Sequence, residues 1–213
     1  MDDLATRFIE GGIFMWPILI CSAIGLALGV ERYLFLKNAR RIEKDQLLKS
    51  MKSTIMKGDI QRAIAVVSQE DSPLTNIVRA GLISVSNNGK AEEVQTAMDA
   101  VALREVPAIE KKIGLLATLS NVATLLGLLG TVEGLIGAFA AVAGVSPSEK
   151  AELLAKSISA AMNTTAFGLV VAIPLLAAFG YLSSMAQEII DDVHESSVSI
   201  LNFILSHKDK FYR

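Results

Sequence analysis

Six positions spaced four, three, four, three and four apart, Ser120, Thr124, Gly127, Thr131, Gly134 and Ala138, are all small or hydroxylated. That heptad spacing places them on one face of a helix. Leucines, valines and Phe139 fill much of the rest of Leu116 to Gly144. A membrane helix carrying such a stripe turns it toward another helix or a water-filled path, because lipid offers a hydroxyl no partner. A second set of oxygens, Asn163, Thr164 and Thr165, stands on the next apolar run. A hydroxyl both donates and accepts, so it suits a polar path. Thr124, Thr131, Asn163, Thr164 and Thr165 are therefore the candidates for lining an ion path. The competing expectation is that each threonine bonds the carbonyl one turn back on its own helix. Gly127, Gly130, Gly134 and Gly168 are the positions expected to let helices approach closely.

Glu133 is the one acidic residue within this otherwise apolar stretch, where a carboxyl is costly and a functional role is the first hypothesis. Two residues from Thr131 is roughly 200° around a helix, so Glu133 is expected to face away from the threonine seam. A hydrogen bond to a neighbouring helix, with Asn163 as the candidate partner, is one role; an ion site is the other. Oxygen ligands at Asn163, Thr164 and Thr165 also leave sodium open beside the proton, since a hard cation takes oxygen donors.

The elements that hold these residues are helices. The chain has 213 residues, 52% of them hydrophobic, a mean hydropathy of +0.46 and a net charge of −2. That balance excludes a nucleic-acid binder and indicates a membrane protein. Cys21 alone forms no intramolecular disulfide, and His194 and His207 fit no metal-ligand pattern. No secretory signal is expected at an N-terminus carrying Asp2, Asp3 and Glu10 against Arg7. Nothing pairs a nucleophile with a base, so no enzymatic activity and no cofactor are expected.

Gly11 to Val30 is twenty residues without charge, enough to span a bilayer. Ile113 to Val132 is a second such run, and Ser157 to Gln187 a third, thirty-one residues long and better explained by one protruding helix than by two spans. The fold class is an all-α membrane protein with three transmembrane helices, two of them long and extending into a cytoplasmic helical bundle. Its parts are an N-terminal segment and first span (1–36), a cytoplasmic helical region (37–112), a second span (113–143), a short periplasmic loop (144–151), a third span (152–187) and a cytoplasmic C-terminal helix (188–213). Within the polar region Gly58-Asp59 reads as a helix stop and N-cap, Ser72-Pro73 as a helix start, and Asn87-Asn88-Gly89 as a turn. Ala91 to Lys112 is expected to run straight into the second span. Gly25 and Gly29 form a packing pair, and Ile189, Val193, Ile200 and Ile204 a stripe that packs on the polar region. Thirteen of the twenty Lys and Arg lie between 37 and 112, and three more in the C-terminal tail. Positive charge concentrates on the cytoplasmic side, so the N-terminus is expected outside and the C-terminus inside.

Several stretches together resemble the MotA/TolQ/ExbB proton-channel family, on its TolQ/ExbB side. They are Phe14–Arg32 ending in E-R, G-D-I-Q-R-A-I-A at Gly58–Ala65, S-P-L at Ser72–Leu74, R-A-G-L at Arg79–Leu82, G-L-L-G-T-V at Gly127–Val132, and T-A-F-G-L-V-V-A-I-P at Thr165–Pro174. The resemblance covers nearly the whole chain in order. It implies a homopentamer in the bacterial inner membrane, around a pore lined by the second and third spans. It also implies two copies of a TolR/ExbD-type single-span partner, each placing an aspartate in that pore. By position, Thr131 and Thr165 correspond to the family's pore-facing threonines. Ala160 stands where many relatives carry a glutamate, so the housing lacks that acid.

The expected function is thus a motor housing, driven by protons, for envelope work such as uptake, envelope maintenance or gliding motility. A sodium-driven version and a non-conducting scaffold are the alternatives. A secondary transporter would need inverted repeats and broken helices, and three spans without a repeat speak against one.

Overall fold

The computed structural model describes residue 8 and residues 11–40, 53–54, 56 and 59–206. The helices whose bounds fall within the described residues are α1 (Met15–Arg40), α2 (Ile60–Val67), α3 (Pro73–Ser86), α4 (Ala91–Glu110), α5 (Ile113–Ala141) and α6 (Pro147–Ser206), with a 3₁₀ turn at Val142–Gly144. No strand occurs among the described residues. Three stretches are long and apolar enough to cross a membrane, Met15–Ala39, Ala91–Gly144 and Glu149–Ser206, and only 17 to 28% of their most apolar windows is buried inside the chain. Side chains such as Trp16, Leu26, Leu125, Ile136 and Ile173 face outward, which water would penalise and lipid or further chains would not. The all-α, three-span membrane architecture is therefore what these residues build.

The chain forms two compact units. The first takes its described residues from Met1–Arg32 and Lys112–Tyr181. Here α5 lies along α6 through a contact of small residues: a Cβ added to Gly168 would stand 2.8 Å from the Ala123 carbonyl oxygen, and one added to Gly127 would stand 3.2 Å from the Thr165 Cα. Gly25 on α1 meets Leu175, whereas Gly29 has open space beside it. Phe8 packs edge-on against both Trp16 and Phe167, with centroids 5.4 and 5.6 Å away.

The second unit takes its described residues from Tyr33–Lys111 and Leu182–Arg213. Asp59 caps α2 by accepting from the Arg62 N–H at 2.9 Å; Gly58, the expected stop before it, lies outside the described residues. Ser72 caps α3 in a reciprocal arrangement with Thr75, and Pro73 opens the helix where its missing N–H costs nothing. Asn88, at φ +62°, turns the chain between α3 and α4. Leu74, Ile77, Val78 and Leu82 of α3 are buried, as are Val94, Met98 and Ile109 of α4. Ile189, Val193, Ile200 and Ile204 are buried too, so the C-terminal stripe is a core face of this unit.

Two features differ from expectation or resolve it. The run from Ala91 does not pass unbroken into the second span: α4 stops at Glu110, Lys111 has an extended ψ of 134°, and Lys112 is left-handed at φ +68°. A left-handed residue cannot continue the i to i−4 ladder. The Lys112 ammonium bonds the Glu31 carboxylate of α1 at 2.8 and 3.1 Å, and Arg32 reaches the same carboxylate at 2.9 Å. The third apolar run, by contrast, is one uninterrupted helix of 60 residues that carries Pro174 inside it. The two-span alternative is thereby excluded.

Candidate ion pathway

The buried face of α5 is rotated from the heptad seam. Leu116, Ser120, Ala123, Gly127, Gly130 and Ala138 are buried, while Thr124 is exposed and Thr131 half-buried. The smallest residues hold α5 against α6, and the two threonines stand on one shoulder of that contact. Glu133 stands on the opposite shoulder: relative to the middle of the buried face, the threonines lie roughly 60–80° one way and Glu133 roughly 100° the other.

Thr165 of α6 joins the threonine shoulder. Its hydroxyl donates to the Gly127 carbonyl at 2.8 Å and lies 3.5 Å from the Thr131 hydroxyl. Thr131 donates to the Leu128 carbonyl at 2.6 Å and Thr124 to the Ser120 carbonyl at 3.1 Å. Thr124 and Thr131 thus make the back-bond to their own helix that was the competing expectation, whereas Thr165 bonds across helices. Ser120, in the seam but not among the expected path residues, makes a second cross-helix bond, donating to the Ala172 carbonyl at 2.7 Å. Its serine-among-leucines setting was the available signal.

Asn163, Thr164 and Thr165 do not converge. Consecutive helical positions splay by about 100°, so three neighbours in sequence point to three sides. Thr164 is buried and donates to the Gly11 carbonyl at 2.6 Å, pinning the turn that precedes α1. Asn163 is half-buried, and no hydrogen bond joins it to Glu133 among the described residues. The expected Glu133–Asn163 pairing is therefore not made.

Glu133 instead borders a cavity of about 410 Å³ between the Gly11–Phe14 turn, α5 and α6. Gly130, Gly134 and Ala161 line it, with Ala160, Ser157 and Thr164. Gly130 would collide with Thr164, and Gly134 with Ala161 at 2.7 Å, if either carried a Cβ, and Gly127 and Gly168 lie at the same α5–α6 contact. The turn at Gly11–Phe14 had no part in the sequence argument beyond starting the first apolar run. Among the described residues no cluster of three or more His, Cys, Asp or Glu could hold a metal ion.

The geometry is a pair of small-residue helices with hydroxyls on one flank and a carboxyl on the other, in a chain that spans a membrane. Known proteins share the sequence that builds it. A putative biopolymer transport protein ExbB homologue of Methanothermobacter thermautotrophicus is 29% identical over 187 residues, 87% of this chain and 65% of that protein's length. The chain thus matches just under two thirds of that relative. The putative biopolymer transport protein ExbB-like 1 of Synechocystis is 32% identical over 88% of this chain and 74% of its own length. The Tol-Pal system protein TolQ of Haemophilus influenzae is 35% identical over 45% of this chain and 42% of its own. Residues 69–195, which hold α3 to α5 and most of α6, match the model of a single family. With both glycine- and threonine-bearing spans inside that match, the chain belongs to the MotA/TolQ/ExbB proton channel family.

Proposed function

We propose that this chain is the non-enzymatic housing of an ion-driven motor, a homopentamer in the bacterial inner membrane with its N-terminus periplasmic and its C-terminus cytoplasmic. Two copies of a TolR/ExbD-type single-span partner place an aspartate each beside the flank carrying Thr124, Thr131 and Thr165. Protons moving down their gradient neutralise and release that aspartate, and each change alters which pair of housing helices it prefers. One charge crossing about 100 mV supplies roughly 2.3 kcal/mol, which shifts a two-state preference by some tens-fold. The partner then delivers work to the envelope, for uptake, envelope maintenance or gliding motility, and the housing needs no resident cofactor.

The observation that supports this most is the meeting of Thr165 and Thr131 at one depth on two different spans, with hydroxyl oxygens 3.5 Å apart. Family membership and the biopolymer transport names of the relatives support the same direction. A non-conducting scaffold is favoured by one fact only: the Thr124 and Thr131 hydroxyls are bonded to their own helix. The deciding experiment is ion flux or motor output with Thr131→Val and Thr165→Val, in assembled complexes with the partner, with and without sodium. Loss of output with assembly intact upholds the path, and the sodium comparison names the ion. Unchanged output in both variants makes these threonines packing residues and puts the ion path elsewhere.

A further inference from the structure

Glu133 is a carboxyl that the threonine path does not use. It is exposed in the chain, and the outward side chains nearest it on α5 are apolar: Leu129, Val132, Ile136 and Phe139. A carboxylate at such a position is costly unless something neutralises it. Among the described residues, no Lys, Arg or His lines the cavity it borders, and no hydrogen bond or ion pair reaches Glu133. The elements around it offer oxygens instead: the hydroxyl of Ser157 on α6, the Thr164 hydroxyl with its lone pairs, and the backbone of the Gly11–Phe14 turn. Among the described lining residues Glu133 is the one titratable group. Lys156, although beside Ser157 in sequence, and Glu149 and Lys150 at the start of α6 do not line the cavity.

We infer that the Glu133 cavity is a second ion station on the housing itself, binding one monovalent cation, proton or sodium, that neutralises the Glu133 carboxylate. It lies on the shoulder of the α5–α6 contact opposite the threonines, so it is a separate site from the aspartate's path. About 410 Å³ holds several waters as well as an ion, so a hydrated cation enters without stripping its shell first. Ala160 belongs to the same wall. Ala160 of α6 and Glu133 of α5 therefore face one space, and the carboxyl in it comes from α5. The inference rests on the chain's being an ion-driven housing, but its test does not read motor output.

The test is labelling of the full chain in membrane vesicles with dicyclohexylcarbodiimide, which couples only to a protonated carboxyl, followed by mass spectrometry of the Glu133 peptide. If the station takes sodium, NaCl slows the labelling several-fold relative to choline chloride at equal ionic strength and pH. If it takes protons, sodium has no effect and labelling falls as pH rises. In either case Ala160→Leu, which fills the cavity, slows labelling, and Ser157→Ala shifts the sodium or pH midpoint without changing the amount of folded chain. Glu133→Gln removes the label and identifies it. Absence of label under every condition, or labelling that neither Ala160→Leu nor Ser157→Ala alters, overturns the proposal, because the carboxyl then answers to lipid or to another surface. Thr131→Val and Thr165→Val leave the labelling unchanged, so failure of the threonine path and failure of this station are told apart.

Discussion

The hydroxyl of Thr165 donates to the main-chain carbonyl of Gly127 at 2.8 Å, joining the two spans where a glycine lets them touch. The Thr131 bond, in contrast, closes on Leu128 within its own helix. Thr165→Val is therefore expected to lower the stability of the purified chain by about 1 kcal/mol, the net worth of one such bond. Thr131→Val is expected to be close to neutral, since valine keeps the volume and the lost bond was local. Thr165→Ser restores the wild-type melting temperature. Thermal melting in detergent separates the two, and equal losses would mean that the cross-helix bond is not made.

Glycine-to-alanine exchange on α6 tests the helix contact. An added Cβ at Gly168 meets the Ala123 carbonyl oxygen at 2.8 Å, a main-chain atom that moves only with its helix. Gly168→Ala is expected to cost about 1–3 kcal/mol, as overpacking does. Gly180, on the same helix, has nothing within 4 Å, and Gly180→Ala should gain about 0.5–1 kcal/mol in the isolated chain from helix propensity alone. Melting of the two variants side by side checks the sign.

At Lys112 the backbone is left-handed, a conformation that glycine adopts freely and a β-branched residue resists. Lys112→Gly relieves that strain while losing the contact with Glu31, and surface pairs of this exposure contribute little. Lys112→Val keeps the strain and loses the contact as well. The expected order of stability is glycine at least equal to lysine and both above valine, by about 1–2 kcal/mol. Indistinguishable glycine and valine variants would show that the helix does not break there.

Ser72 tests the second unit. It is buried and exchanges hydrogen bonds with Thr75 in both directions, the Thr75 N–H donating at 3.1 Å and the Ser72 N–H at 2.8 Å. Ser72→Ala should cost about 1–2 kcal/mol, as loss of a good cap does. Denaturant titration followed by far-ultraviolet circular dichroism measures it, and a neutral result would mean that α3 starts elsewhere.

Local signals were the easiest to read ahead of the structure. Ser72-Pro73 announces a helix start, Asn87-Asn88-Gly89 a turn, and the spacing of Ile189, Val193, Ile200 and Ile204 a buried stripe, because each depends on neighbours a few residues away. The break at Lys111-Lys112 could not be read that way. Two lysines in a helical pattern carry no glycine or proline, and the left-handed residue is held by contacts that include Glu31, 81 positions away. The site was legible in its residue types but not in its rotation. Spacing alone centred the contact face on the threonines, whereas Ala123 and Gly130 turn it toward themselves because they allow a closer approach. Adjacency of Asn163, Thr164 and Thr165 suggested a cluster, yet a helix sends adjacent residues apart. That Thr164 anchors the turn at Gly11, 153 residues away, follows from tertiary packing alone.

Carbonyl oxygens only accept, so each of the four threonine protons is already given away: Thr124 to Ser120, Thr131 to Leu128, Thr164 to Gly11 and Thr165 to Gly127. What these hydroxyls still have to offer a further partner is lone pairs alone. An approaching acid that still holds its proton finds acceptors waiting; one that has lost it meets oxygen against oxygen until a hydroxyl lets go of its carbonyl, at about 0.5–1.5 kcal/mol each. On the proposed path along Thr124, Thr131 and Thr165, such a wall at rest would favour the uncharged guest.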